Sequence, residues 1–351
     1  RQFQREIRAD RMDVAFAEYP GKSKTAPDGK TLIPGKPVLG IDSLDAFGKV
    51  LIQDPAHNMK ISRAESLKVA LRNGSELVHA TIVSPAPDVL ARARFRDMAI
   101  HGHRIEIDTD QQAVDVPGPG KAWMVTRQNF GGQKLMEPGV VKTTWTGHMK
   151  LRLSQDYGMF VGNIRSSSDG FLMTCEKLTV RFARVPPIQK KTKDGLLSRF
   201  AVLGLIQNDR AELQISAPMS ASSRSKRPTY IIAEGKANAL TSTHAPKGPD
   251  GQPGRLLSRA NVVGKQIVVD LAREQMSVPG KGTLMIEDYQ FDRKPSLSSG
   301  LASRRVGGPL MSSMQSEGPS QTLVTWQNSM DLFVDRGLVA FDKDVRMVHR
   351  S

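Results

Sequence analysis

The chain has 351 residues and sets 50 Lys+Arg against 35 Asp+Glu, a formal net charge of +15. Its 39% hydrophobic content supplies a lean core, and 30 Gly with 21 Pro keep it below the low-complexity range, so the composition is not that of a disordered chain. No apolar run approaches the ~18–20 residues of a membrane-spanning helix, and a single cysteine, Cys175, excludes an internal disulfide and any Cys-rich zinc module. The sequence opens on Arg1 with no signal-type segment after it, which predicts a processed form or a piece of a longer chain.

In chain order, the first recognisable element is Ala9-Asp10-Arg11-Met12-Asp13-Val14-Ala15-Phe16. Its pattern, small, acidic, polar, apolar, polar, Val, any, apolar, returns as Ala64-Glu65-Ser66-Leu67-Lys68-Val69-Ala70-Leu71 and as Cys175-Glu176-Lys177-Leu178-Thr179-Val180-Arg181-Phe182. A Gly-x-[Val/Ile] strand precedes the second and third copies, at Gly48-Lys49-Val50 and Gly162-Asn163-Ile164. Cys175 stands where Ala9 and Ala64 stand, which reads as a small buried apolar residue rather than a reactive thiol.

Residues 102–120, GHRIEIDTDQQAVDVPGPG, predict a hairpin whose exit is fixed by Pro and Gly, and they recur without a gap at 264–282 as GKQIVVDLAREQMSVPGKG, an offset of 162. Asp108 and Asp270 fall at the turn, where Asp is favoured for its bonds to the backbone. The run from Thr144 to Leu153 alternates with period two: Trp145, Met149, Leu151 and Leu153 take one face, and Thr144, Thr146, His148, Lys150 and Arg152 the other. The Trp-x-x-x-Met-x-Leu spacing of Trp145, Met149 and Leu151 returns at Trp326, Met330 and Leu332, now at an offset of 181 rather than 162, so 19 extra residues lie between the two markers in the second copy. The Ser/Gly/Arg-rich stretch 294–320 is the predicted home of that insertion, read as a mobile loop.

These repeats predict an all-β chain of tandem units, a β-solenoid or open jelly roll, with a first unit or units over 1–182, a basic connecting segment over 183–228 and a second unit over 229–351. "ADRMDV", "AESLKV" and "CEKLTV", with their Gly-x-[Val/Ile] strands, resemble the repeat of the organic-solvent-tolerance-like (OstA) domain, the family of the periplasmic lipopolysaccharide-transport proteins LptA and LptC and the N-terminal domain of LptD. The resemblance implies an elongated, twisted jelly roll whose interior groove holds the acyl chains of lipid A, and units that join edge to edge between two membranes. It also implies a periplasmic or cell-envelope location. This chain departs from the small bridge protein of the family in being longer, more basic and internally duplicated.

The inward-facing set expected to line such a groove is Met12, Leu67, Ile105, Ile107, Trp145, Met149, Leu151, Leu153, Leu178, Ile267, Val269, Trp326, Met330 and Leu332, all of which could instead pack on one another. Lys190, Lys191 and Lys193, with Arg224, Lys226 and Arg227, are the cations expected at an anionic headgroup; as solvated loop charge they would serve equally to keep an edge-rich β protein from aggregating. The partners expected are therefore lipopolysaccharide or a similar anionic glycolipid and other OstA-like domains by β-augmentation, with no cofactor. A scaffold of the same fold that binds no lipid is the second reading. A single-stranded nucleic-acid binder is the third, weakened because Trp145 and Trp326 sit among Met and Leu rather than along a basic groove.

An enzyme is not expected. His101 and His103 would share a strand face, but no third metal ligand is identifiable. Gly118-Pro119-Gly120 and Gly280-Lys281-Gly282 lack the helix and Lys-Ser/Thr of a phosphate loop, so they read as turns.

Overall fold

In the computed structural model, residues 6–25, 32–54, 59–72, 76–95, 98–128, 134–184, 226–245, 254–289, 320–334 and 336–350 are described. Among them the regular structure is antiparallel β-strand, with one turn of 3-10 helix at Leu153–Gln155. The fold is a β jelly roll, and its chain divides into two compact units that do not follow chain order. Arg1–Gly118 groups with Lys150–Asp156 and Ala183–Arg227; Pro119–Met149 groups with Tyr157–Phe182 and Pro228–Ser351.

The first unit is built on long strands that bend. Strands β1 (Glu6–Arg8), β2 (Arg11–Thr25), β3 (Leu32–Asp54) and β4 (Met59–Arg72) are followed by β5 (Glu76–Val83), β6 (Ala91–Phe95), β7 (Met98–Gly102), β8 (Arg104–Asp108) and β9 (Ala113–Pro117). β3 pairs with β2 as far as Phe47 and with β1 from Leu51 onward. β4 does the same, pairing with β6 over Met59–Ser62 and with β5 over Ser66–Arg72. One sheet therefore runs β2, β3, β4, β5, β8, β9 and the other β1, β3, β4, β6, β7, with β3 and β4 belonging to both. Bends of this kind let strands turn a corner between packed sheets.

The bend in β3 is the Gly-x-Val signal of the sequence. Gly48 and Lys49 lie at φ 73 and 48, and the β3–β4 register slips between Phe47 and Val50. A side chain at Gly48 would also run into Asp10, so glycine is needed there for both conformation and space. On β4 the bend at Arg63, φ 57, changes the burial period: Ile61, Ala64 and Leu67 are buried at a spacing of three instead of two.

The second unit repeats the device. It contains β10 (Gly120–Gln128), β11 (Lys134–Trp145), β13 (Tyr157–Ser168) and the body of β14 (Phe171–Arg184), then β15 (Lys226–His244), β16 (Leu256–Asp270), β17 (Gln275–Pro279), β18 (Gly282–Asp288), β19 (Ser320–Trp326), β20 (Ser329–Phe333), β21 (Leu338–Asp342) and β22 (Arg346–Arg350); β12 (His148–Arg152) is divided between the units. β13 bends at Gly162-Asn163 (φ 88 and 39) and β15 at Gly235-Lys236 (φ 76 and 44), each with a register slip. β16 then pairs with β18 through its first half and with β17 through its last residues. A further bend, Lys343-Asp344 at φ 66 and 50, has no glycine at all and carries no sequence signal.

The duplication extends to hydrogen bonds. Thr146 and Gly147 donate their backbone N–H groups to the carbonyls of Gly162 and Val161, at 2.8 and 2.9 Å; Gln327 and Asn328 donate to Lys343 and Asp342, at 3.0 and 3.2 Å. Both sets are related by the offset of 181. The 19-residue insertion falls between β18 and β19, where Asp288 pairs with Ser320, so the expected 294–320 loop, apart from Ser320 itself, lies outside the described residues. The turn carboxylates behave as the sequence predicts: Asp108 Oδ1 accepts from Gln111 N at 2.8 Å, and Asp270 Oδ1 from Ala272 N and Arg273 N at 3.0 Å.

Two sequence expectations are corrected by the backbone. The strand predicted over 144–153 is broken at Thr146-Gly147 and ends at Arg152, because those two residues form the turn that the β13 bend caps; Leu153 sits in the 3-10 turn instead of on the strand. His101 and His103 do not share a strand face, since β7 ends at Gly102 and His103 is the bend before β8.

Candidate functional site: the inner apolar faces

Cross-strand register turns the buried residues of the first unit into two ladders. One runs Met12, Ala46, Leu67, Ile82, Ile105 across β2, β3, β4, β5 and β8, with Val14, Leu44, Val69, Ala80, Ile107 beside it. The other runs Ile7, Ile52, Ile61, Ala93, Ile100 across β1, β3, β4, β6 and β7. Both are closed from the second rung onward, where Ala46, Leu67, Ile82, Ile105, Ile61, Ala93 and Ile100 are buried. Both open at the first rung: Ile7 is 40% exposed and Met12 45%. Val14 and Phe16, which alternate with Met12 along β2, are exposed as well.

The second unit has its own ladders. Ile231, Val269, Met276, Leu332 and Val339 align across β15, β16, β17, β20 and β21, and Val278, Met330 and Phe341 lie beside them. Ala239, Val262, Leu284, Val324 and Met347 align across β15, β16, β18, β19 and β22, and again only the last rung, Met347, is exposed. Trp145 and Trp326 are buried in the same setting: each is paired with a glycine, Gly120 or Gly282, and each leans on a phenylalanine, Phe160 at 5.3 Å or Phe341 at 5.4 Å between ring centroids. A side chain at Gly282 would collide with the Trp326 ring, which explains a glycine inside that strand.

Of the expected groove set, Leu67, Ile105, Ile107, Trp145, Met149, Leu151, Leu178, Ile267, Val269, Trp326 and Met330 are buried, and Leu153 and Leu332 half-buried. Met12 stands in the same ladder as Leu67 and Ile105 but is exposed, and the only pairing of β2 among the described residues is with β3. The division into units places Met12, Leu67, Ile105, Ile107, Leu151 and Leu153 in the first and the other eight in the second. Lys190, Lys191, Lys193 and Arg224 lie outside the described residues, and Lys226 and Arg227 open β15.

Sequence reading missed the whole second ladder of the first unit, Ile7 to Ile100. Three of its strands, β1, β6 and β7, are only three to five residues long, and its β6 rung, Ala93, carries little hydrophobic signal. It also missed Phe160 and Phe341, though the offset of 181 already related them. The three-copy motif has two further members that register reveals: Gly102-His103-Arg104-Ile105-Glu106-Ile107 and Gly264-Lys265-Gln266-Ile267-Val268-Val269 hold the same sheet position, with glycine in place of Ala64 or Cys175.

Among the described residues, few polar side chains are buried in these faces. Cys175 is buried opposite Ile164, and burial pushes its thiol up to about 12, so it stays protonated. Arg152 binds Asp115 through both nitrogens, at 2.8 and 2.7 Å, a half-buried bidentate pair on the outer side of the first unit. One polar pair is fully buried, Thr143 with Ser166, their hydroxyl oxygens 2.9 Å apart. His103 Nδ1 lies 3.3 Å from Ser84 Oγ.

No protein-family model matches the chain, and no curated protein matches it significantly. Among solved structures it is similar to the crystal structure of LptH, the LptA-homologous periplasmic component of the lipopolysaccharide transport device of Pseudomonas aeruginosa. The identity is 10%, the match covers 55% of this chain and 90% of that one, and the TM-score is 0.20. A score that low carries no weight for function, and the all-β jelly roll described above rests on the strand registers themselves.

Proposed function

We propose that this chain is a non-enzymatic cell-envelope protein that takes the acyl chains of lipopolysaccharide, or of a similar anionic glycolipid, onto its inner apolar faces on the way to the outer membrane. The observation that carries the reading is the pair of ladders in the first unit, closed over four strands and open at the fifth, where Ile7, Met12, Val14 and Phe16 stand exposed. An acyl chain that covers such a face gains ~0.8 kcal/mol per buried CH₂. The deeper rungs are in contact with one another, so the entry point is the exposed rung and not the buried middle. Cations would then meet the phosphates of the headgroup, with the clusters around Lys190–Lys193 and Arg224–Arg227 as candidates by charge.

A second reading is favoured by the same rung. β2 is paired with β3 alone among the described residues, and an exposed strand with an apolar inner face is a template for an added strand from another OstA-like domain. Native mass spectrometry with lipid extraction separates the two. The lipid reading expects co-purified glycolipid that added lipid A displaces, and loss of that lipid in the double variant Met12→Asp, Phe16→Asp with strand content unchanged by circular dichroism. Lipid-free protein that also refuses lipid A sinks it and leaves the edge-docking scaffold.

A further inference from the structure

We propose that the outward face of the β10–β11 hairpin is an anchor that holds the protein against an anionic bilayer surface. Along β10 the outward positions are Lys121, Trp123 and Val125; across β11 they face Thr144, Lys142 and Val140. Val125 and Val140 form a cross-strand apolar pair, 43% and 44% exposed, and Trp123 stands next to them, half-buried. The rows continue onto β13 and β14 through Arg165–Thr174 and Ser167–Leu172. Three exposed cations, Lys121, Lys142 and Arg165, surround the apolar patch, none of them ion-paired among the described residues, and no carboxylate occurs in the registered rows.

The duplication acts as an internal control on whether the fold requires this patch. Inward positions are retained between copies: Trp145 and Trp326, Met149 and Met330, Phe160 and Phe341. Of the outward positions Thr144 recurs as Thr325, but those of the patch do not recur. Where the first copy has Trp123, Val125 and Lys142, the second has Met285, Glu287 and Leu323 in the same register. The hairpin thus forms without a tryptophan or a Val–Val pair on its outer side.

The occupant follows from the chemistry. An indole with exposed aliphatic neighbours suits the headgroup–acyl boundary, where an amphipathic ring has both an apolar and a polar environment. Cations whose registered rows carry no acid suit an anionic surface, where each contributes roughly a fivefold gain in affinity that salt weakens. A neutral protein groove would match the apolar patch but leave three charges without partners.

The test uses the full chain with vesicles of phosphatidylglycerol and phosphatidylcholine at equal parts, and of phosphatidylcholine alone. Trp145 and Trp326 are buried, so brominated phosphatidylcholine mixed into the anionic vesicles reports on Trp123. The expected result is co-sedimentation with anionic vesicles, quenching of Trp123, and at least a tenfold loss of binding in 0.5 M salt or without phosphatidylglycerol. Val125→Glu, which keeps the reporter, and the double variant Trp123→Met, Val125→Glu, which installs the residues of the second copy, should each weaken vesicle binding about tenfold or more. Both should keep wild-type strand content and the wild-type glycolipid load, so failure here is distinct from failure of the cargo reading. Vesicle binding that survives the double variant overturns the proposal. So does an equal loss in Met12→Asp, which would move the contact to the exposed rung. Absence of vesicle binding together with concentration-dependent shielding of Trp123 would overturn it in favour of an interface between copies of this chain.

Discussion

The two copies of the duplicated element, one centred on Trp145 and the other on Trp326, share a few fixed inner contacts and differ around them. Inside, each tryptophan faces a glycine across the strand pair and packs on a phenylalanine, and each is followed by a two-residue turn held by the same pair of backbone hydrogen bonds. Yet the positions between these fixed points vary in chemistry. Thr143 pairs with Ser166 in the first copy where Val324 pairs with Met347 in the second, and Gly162 bends the strand where Lys343 does so later. The difference separates what the jelly roll needs, a large ring over a bare backbone and a left-handed bend, from what it merely accommodates.

If the copies are equivalent in energy, Trp145→Ala and Trp326→Ala should each destabilise by ~3–5 kcal/mol, the usual range for removing a buried aromatic. Denaturant melts that differ by more than about 2 kcal/mol would break the equivalence. Cys175 offers a sharper contrast with its small counterparts Ala64 and Gly264. Its folded-state value lies near 12 against an ordinary 9.0, so the native chain retains a proton that the unfolded chain releases. Stability is thus present in full below pH 9 and falls between pH 9 and 12, by up to ~1.4 kcal/mol per pH unit, and Cys175→Ala should remove that slope from melts run across the window.

The bends should respond in opposite directions. Gly162→Ala places a side chain against Gly147 and at φ 88, and should cost more than ~1–2 kcal/mol. Lys343→Gly relieves a non-glycine residue at φ 66, so any change in melting should be small, within ~1 kcal/mol, and not destabilising. A comparably small effect belongs to the hydroxyl pair. Ser166→Ala alone should lose ~1 kcal/mol by leaving the Thr143 hydroxyl without its partner, while Thr143→Val combined with Ser166→Ala should recover most of it. A double-mutant cycle with no coupling would show that the polar pair is no more than a tolerated substitute for Val324 and Met347.

Much of this organisation was legible in the sequence because the duplication keeps its spacing. Offsets of 162 and 181 relate the hairpins and the tryptophans, and their difference gives the insertion. Period-two reading failed where strands bend: burial of Ile61, Ala64 and Leu67 at a spacing of three looks neither like a strand nor like a helix face. A break at Thr146-Gly147 likewise made one predicted strand out of two strands and a turn. Of the site, the buried rungs were readable from Leu, Ile and Trp, but the exposed rung was not. Nothing in the residue types of Ile7, Val14 and Phe16 distinguishes an apolar residue with a covering strand from one without. That depends on which edge lacks a neighbour, a property of the register and not of the side chain.

The insertion between β18 and β19 has a practical consequence. Asp288 and Ser320 are paired, so the chain leaves and re-enters the sheet at adjacent points whatever its length in between. For a flexible connection, each doubling of that length adds only ~0.6 kcal/mol of closure entropy. The position is therefore a socket: a fluorescent reporter or an affinity handle spliced between Asp288 and Ser320 should leave the β18–β19 pairing in place, since both ends of the added length are already fixed in the sheet.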